Sequence, residues 1–451
     1  MLIEYFCINN LFGYQDFEIK FKEKDTIFVG ENGMGKTTIL SILYHTVSLN
    51  FSELMEYEFD SIKIKYEDSS QFFLDKNDIE LLYKRNHSGI PDRLVKHIDE
   101  IIEELNIDIN DLEQKSTVLK IRTALIERGK RVPLNLIRDI VESSYLNAVG
   151  DLKEFIESTK KVLSKYKILY FPTYRRIEED ISNFQNDDRN LYEDNEIHYF
   201  ESSRKRKRQP VDRGELIQFG MKDVQETIDD LLDTIKKTSI ESFNKMTGEL
   251  LQQYVNNDVE KDIELNVLSE KVILISLSRV GSEIKSDLQN QIVNMYNDKT
   301  LEENKYLMNF IINLVNKNHS LEHIDNKIQK FVEVCNGYLY GKKFIYDPSA
   351  VTLEISSLNS SGAIPLSKLS SGEKQIISTF SKIYLKDDKN LIILFDEPEL
   401  SLSIDWQKKF IYDVTQSENC KFSISVTHSG YIFKEMIENA TELHKYLKVV
   451  K

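Results

Sequence analysis

The chain has 451 residues, of which 41 % are hydrophobic and 29 % charged, with a formal net charge of −15; it is long enough for a sizeable core and for two or three structural units. The negative balance argues against a surface coated uniformly for nucleic acid, because phosphate contacts need positive charge; a local basic patch remains possible. The three cysteines, Cys7, Cys335 and Cys420, stand far apart, so neither a disulfide framework nor a CxxC zinc site is expected, as in a reducing compartment.

The opening residues MLIEYFCINN lack a basic stretch followed by a long apolar one, so no secretory leader is expected. No run of about eighteen apolar residues occurs, which argues against an ordinary membrane-spanning helix and for a cytoplasmic protein.

In chain order, residues 1–30 alternate like strands at Leu2–Ile8, Phe17–Phe21 and Thr26–Val29, and residues 59–65 alternate like another half-buried strand. From about 93 to 165 the apolar spacing turns helical, with Leu94, Ile98, Ile101, Ile102 and Leu105 on one face. A short apolar strand, Lys167–Phe171, ends at Pro172. An acidic, Asn-rich stretch then leads to the basic run Arg204–Arg208, and its low apolar content predicts a mobile loop over 181–214. Helices are expected again over 215–258, 282–298 and 302–338, forming a compact helical arm, followed by strands near 343–347 and 350–356 and an αβα pattern to the end. The domain boundaries implied are 1–92, 93–164, 165–180, 181–214, 215–338 and 339–451.

Residues Gly30-Glu31-Asn32-Gly33-Met34-Gly35-Lys36-Thr37-Thr38 spell a complete G-x4-GK[ST] loop between a strand and a helix. Glycines allow the backbone N–H groups to wrap phosphates, and the helix N-terminus adds its positive dipole end. Lys36 is expected to reach the β- and γ-phosphates, and the Thr37 hydroxyl to ligate Mg²⁺. Much later, Ser370-Ser371-Gly372-Glu373 reads as a helix N-cap. Next, Leu391–Phe395 followed by Asp396 and Glu397 reads as a buried parallel strand delivering two carboxylates at its C-terminal edge. Asp396 is expected to hold Mg²⁺ and Glu397 to polarise a water as general base. A further apolar strand, Phe422–Val426, runs into Thr427-His428-Ser429.

The order of these motifs resembles the ABC ATPase superfamily, and within it the SMC, RecF and OLD-like branch, over roughly residues 1–75, 165–180 and 340–451. That resemblance implies an α/β P-loop head with a mixed sheet, interrupted by a helical, short coiled-coil-like insertion, that binds and hydrolyses ATP with Mg²⁺. It implies that Ser370, Gly372 and Glu373 meet the γ-phosphate held by a second copy in a head-to-tail dimer, or in a higher-order ring. It also implies that Leu400–Asp405 touches that copy, and that His428 is a switch histidine sharing catalysis with Glu397 and Lys36. The runs DEPELSLSIDWQ, THSGYIF and YFPTYRRIEED look like ATPases of bacterial anti-phage systems, PARIS-type AriA most closely and Septu-type PtuA second. By that likeness the chain is expected to be a sensor that controls a separate toxin or a Toprim/DUF4435-type or HNH nuclease and answers a phage-encoded trigger. Two departures stand out: Ser371 replaces the second glycine of the commonest signature, and Ser403 stands where relatives often carry histidine. No Q-loop glutamine is placed.

Only 23 residues follow His428, so a nuclease, where one is needed, is expected on another polypeptide. The rival class is a DNA-repair ATPase resembling RecF or Rad50 that grips DNA directly, and a third is a mainly structural scaffold that binds ATP but barely turns it over. Among secondary candidates, the Arg204–Arg208 run is read as a solvated loop somewhat more readily than as a nucleic-acid or protein contact, and Arg175 and Arg176 as surface residues. His319 and His323 read as surface residues rather than metal ligands. Phe12 and Tyr14 suit either core packing or stacking on a base.

Overall fold

The computed structural model describes residues 2–68, 70–80, 92–105, 107, 115–128, 130, 132–141, 150–173, 215–216, 221–256, 268–281, 284–359 and 362–449. The Arg204–Arg208 run, Arg175, Arg176 and the whole of the expected loop 181–214 lie outside them. The chain divides into two compact units, Met1–Gln218 with Asp388–Lys451, and Phe219–Asp387.

The first unit opens with β1 (Ile3–Leu11), β2 (Gln15–Lys20), β3 (Asp25–Val29), α1 (Lys36–Val47), β4 (Ser61–Tyr66) and β5 (Gln71–Asp75). Helices α2 (Asp92–Glu104), α3 (Lys115–Glu127), α4 (Leu134–Val141) and α5 (Gly150–Leu163) follow, then β6 (Lys167–Phe171) and β7 (Glu215–Leu216). The second unit carries α6 (Met221–Val255), α7 (Glu270–Ser278), α8 (Ser286–Asn297), α9 (Lys305–His319), α10 (Glu322–Asn336), the strands β8 (Lys342–Asp347) and β9 (Thr352–Ser357), and α11 (Ser371–Phe380). The first unit resumes with β10 (Leu391–Asp396), α12 (Ile404–Thr415), β11 (Cys420–Thr427), β12 (Ala440–Glu442) and β13 (Leu447–Val449).

Among the described residues the first unit is α/β, with its two kinds of strand pairing on separate sheets. The order β12-β3-β11-β10-β6-β7 is parallel throughout. Its central strand, Leu391-Ile-Ile-Leu-Phe-Asp396, is buried at every position, because a parallel strand covered on both faces needs an unbroken apolar run. The order β13-β2-β1-β4-β5 is antiparallel. Ile39, Leu40, Ile42 and Leu43 of α1 join Ile8, Ile62 and Ile64 of the antiparallel sheet and Phe28, Leu394 and Ile424 of the parallel one in a single apolar core. That core seats the N-terminus of α1 at the parallel sheet's C-terminal edge. Helices α2 to α4 bury their own apolar stripe, with Ile98, Ile101, Ile121, Leu125, Ile137 and Ile140 at its centre.

In the second unit, Met246, Ile273, Leu277, Ile292, Ile311 and Val315 form the core. The buried Arg279 donates to Asp325 Oδ1 at 2.6 Å and to the Pro348 carbonyl at 2.8 Å. Because the boundary falls at 387–388, β8, β9 and the Ser370–Glu373 cap belong with these helices.

Three local expectations change. Glu215–Leu216 is a parallel edge strand beside Leu169–Tyr170, not the start of a helix; two residues carry no periodicity that sequence can show. The helical stretch over 302–338 breaks after His319, where the Ser320 hydroxyl donates to the Lys317 carbonyl at 2.8 Å. The tail Leu447–Val449 is a strand on β2, facing Phe17, Asp16 and Gln15. Among the described residues, no helix is long and apolar enough to cross a membrane.

Candidate active site

Parallel pairing places the C-terminal ends of β3, β11, β10 and β6 side by side, with Val29 beside Thr427, Asp396 beside Val426, and Phe395 beside Phe171. In such sheets this edge is where ligands bind. Apart from Gln407 on α12, the first-unit residues discussed below leave one of these four strand ends or the loop between β1 and β2.

From β3 the chain enters the glycine loop, with Gly33 at φ +85° and Gly35 at φ +79°. Gly35 precedes the first turn of α1 and has no room for a side chain, since a Cβ there would stand 2.8 Å from the Phe12 ring. Backbone freedom and close approach thus both demand glycine at this position. Lys36 is 5 % exposed, and its Nζ donates to the carbonyls of Gly30 at 2.9 Å and Glu31 at 3.0 Å. Those bonds arch the loop around the ammonium. Met34 closes the arch from outside, its sulfur accepting from Glu31 N at 3.1 Å.

Asp396, 2 % exposed, sits between two hydroxyls. Thr37 Oγ1 donates to its Oδ1 at 2.9 Å and Thr173 Oγ1 to its Oδ2 at 2.6 Å. A hydroxyl and a carboxylate oxygen at this separation form a hard-oxygen pair suited to Mg²⁺, which takes one or two protein oxygens and keeps the rest for water and phosphate. Glu397 follows with φ +49°, a strained value for a side-chain-bearing residue, and its N–H donates to the Val426 carbonyl at 2.9 Å. Glu397 lines a cavity of about 280 Å³ together with Phe12, Asn32, Gly33, Gly35, Lys36, Thr37 and Thr38. His428 Nδ1 lies 3.5 Å from Glu397 Oε1 and 3.2 Å from Glu399 Oε1.

The structure therefore gathers Gly30 to Thr38, Asp396, Glu397 and His428 at one edge. Phe12 walls the cavity, and Tyr14 stacks on it at 6.2 Å between ring centroids while remaining half exposed. Ser370, Gly372 and Glu373 belong to the other unit. There Ser370 caps α11: its N–H and hydroxyl both donate to Glu373 Oε2 at 2.9 Å, and Glu373 N returns a bond to Ser370 Oγ at 3.4 Å. Burial pushes the Glu373 carboxyl up, but the Ser370 donors and Lys342 Nζ at 3.0 Å outweigh it and hold the group below the usual carboxylate range. The Glu373 side chain is thereby engaged in the cap.

Three participants were not found from sequence. Thr173 follows Pro172 at the end of an apolar strand, a placement that matches the other site residues. Glu399 and Gln407 lie within the run DEPELSLSIDWQ, where nothing in the spacing separates them from ordinary turn residues. His319 Nδ1 lies 2.5 Å from Glu322 Oε2, and His323 Nδ1 contacts the Ser320 carbonyl at 2.8 Å. Among the described residues no group of three or more metal-binding side chains occurs.

A cavity with a phosphate cradle at one wall and a carboxylate at the other can hold a nucleoside triphosphate and bring water to its last phosphate, which is the work of a P-loop ATPase. The chain belongs to the AAA ATPase domain family, whose model matches residues 1–433, and it is an ATP-binding enzyme of that kind. Solved structures with some similarity include the Smc head domain with an extended coiled coil bound to the C-terminal domain of ScpA, from Pyrococcus furiosus, at 13 % identity and a TM-score of 0.34, covering 100 % of this chain and 96 % of that one. Another is the SmcHead bound to the C-winged helix domain of ScpA, at 12 % identity and a TM-score of 0.32, covering 100 % and 97 %. No curated protein matches the chain.

Proposed function

We propose that this ATPase works as a nucleotide-gated switch whose active site is completed by a second copy of the chain. Supporting this reading is the Asp396 carboxylate held between Thr37 and Thr173, with Glu397 lining the same cavity as Lys36 and Thr37. Lys36 neutralises the phosphates, Thr37 and Asp396 would hold Mg²⁺, and Glu397 takes the proton of the attacking water. Mg²⁺, held there, would supply positive charge against the negative charge of the phosphates. In the second copy the Ser370 hydroxyl exchanges its Glu373 partner for a γ-phosphate oxygen, with the N–H groups near Gly372 beside it. His428 contacts the same phosphate. ATP then closes the pair and hydrolysis releases it, a two-state element that a trigger can bias.

The finer reading is a cytoplasmic sensor in a bacterial anti-phage system, holding a separate toxin or nuclease and releasing it on a phage signal. The motif runs quoted above support this.

Light scattering of the Glu397→Gln variant with ATP and Mg²⁺ tests the switch. Twice the monomer mass is expected, falling back when Ser370 is also changed to Arg. A strictly monomeric Glu397→Gln protein with bound ATP refutes the divided site. Plaque assays test the biological role: parent genes should protect, and Glu397→Gln should not.

A further inference from the structure

Glu399 is buried, at 4 % exposure, and the hydrolytic scheme leaves it without a task. Its Oε1 gathers three donors from one loop: Thr427 Oγ1 at 2.7 Å, His428 N at 3.0 Å and Ser429 N at 3.2 Å. The same oxygen stands 3.2 Å from His428 Nδ1. Its Oε2 is buried without a hydrogen-bond partner among the described residues. Burying a carboxylate is costly, and leaving one of its oxygens unsatisfied is more so. The convergence of three donors from 427–429 on a single oxygen indicates that holding this loop is what the burial secures.

A second tie runs in parallel. Ser429 Oγ donates to Gln407 Oε1 at 2.7 Å, while Gln407 Nε2 donates to the Leu402 carbonyl at 3.0 Å and the Glu399 carbonyl at 3.4 Å. The turn 397–402 and the loop 427–429 are therefore laced together by side chains from both. His428 itself has a side chain 42 % exposed, so packing does not set its ring. Polar contacts must.

We propose that Glu399 is a positioning residue for ATP hydrolysis: it binds the 427–429 loop to the carboxylate turn and so keeps the His428 ring beside Glu397. This rests on the reading of Glu397 as base and His428 as the phosphate contact. Its contacts go to the 427–429 loop, so its expected effect is on turnover and not on affinity.

The test measures steady-state ATP hydrolysis and binding of a fluorescent non-hydrolysable ATP analogue with the full chain. Glu399→Ala is expected to lower kcat on the order of 10²-fold, the scale of a misplacement of about 1 Å, with KM and analogue affinity unchanged within about threefold. Glu399→Gln keeps an acceptor oxygen for the three donors and should return kcat to within about tenfold of the parent. In a His428→Ala background, Glu399→Ala should cost less than about threefold, because the two act as one unit. Should Glu399→Ala exert its full effect without His428, or weaken KM and kcat together, or leave kcat intact while Glu397→Gln is dead, the positioning role is overturned. Parent-like turnover by Glu397→Gln would instead overturn the assignment on which it rests. If Glu399→Ala fails to fold, the Ser429→Ala/Gln407→Ala pair cuts the second tie. That variant is expected to lose about tenfold in kcat at unchanged KM, and an unchanged kcat overturns the proposal.

Discussion

Replacing Thr173 by valine removes one hydroxyl and keeps the side-chain outline. That hydroxyl donates to Asp396 Oδ2 at 2.6 Å, and Asp396 is 2 % exposed, so water does not readily take its place. A hydrogen bond to a charged group contributes about 1.5–3 kcal/mol. Thr37 continues to hold Oδ1. Thr173→Val should therefore destabilise the first unit by about 1.5–3 kcal/mol in EDTA. At about 2 °C per kcal/mol for a body of 282 residues, that is a fall of roughly 3–6 °C in Tm. With one restraint gone the carboxylate turns more freely, and the Mg²⁺ concentration for half-maximal turnover should rise about tenfold, a 1.4 kcal/mol effect. Scanning calorimetry in EDTA and a Mg²⁺ titration of ATP hydrolysis measure the two quantities, and Thr173→Ser should restore both. A valine variant within about 0.5 kcal/mol of the parent, with its Mg²⁺ dependence unmoved, would refute the idea that Thr173 holds Asp396.

Lys36→Met removes the ammonium and leaves the Gly30 and Glu31 carbonyls without their donor; isothermal titration should show ATP affinity reduced at least about 100-fold, or about 2.7 kcal/mol. Gly35→Ala places a methyl 2.8 Å from the Phe12 ring at φ +79°. Left-handed strain of about 1–2 kcal/mol plus overpacking of about 1–3 kcal/mol should abolish tight ATP binding. Adding Phe12→Leu should recover only the overpacking part. Lys342→Met tests the cap. The Glu373 carboxyl is held below its ordinary 4.5, so its contribution to stability is fully present above that value and is lost as pH falls through the lower folded value. Without Lys342 the folded value rises, so urea denaturation followed from pH 6 to pH 3 should show stability lost at a higher pH than in the parent.

Much of this protein can be read from local pattern. The G-x4-GK[ST] loop, the apolar run ending in Asp396-Glu397 and the strand before His428 each carry a signature within a few residues, and the structure sets them at one sheet edge. The strand Lys167–Phe171 was legible for the same reason. Helix α7 was not, because its apolar run Val272-Ile-Leu-Ile275 shows no clear period. Strand β5 and the edge pair at Glu215–Leu216 gave too little alternation to detect.

What the chain's own text determines is therefore chemistry: which residues can cradle phosphate, offer oxygens to a cation, or take a proton from water. Tertiary structure alone decided which distant residues serve them. Thr173 reaches Asp396 across 223 positions and Thr37 reaches it across 359, because parallel strands far apart in the chain pair side by side and end together. Glu399 binds the His428 loop because β10 and β11 are neighbours in the sheet. Such contacts leave no periodicity in sequence, since they depend on strand order, and strand order is set by how the whole core packs.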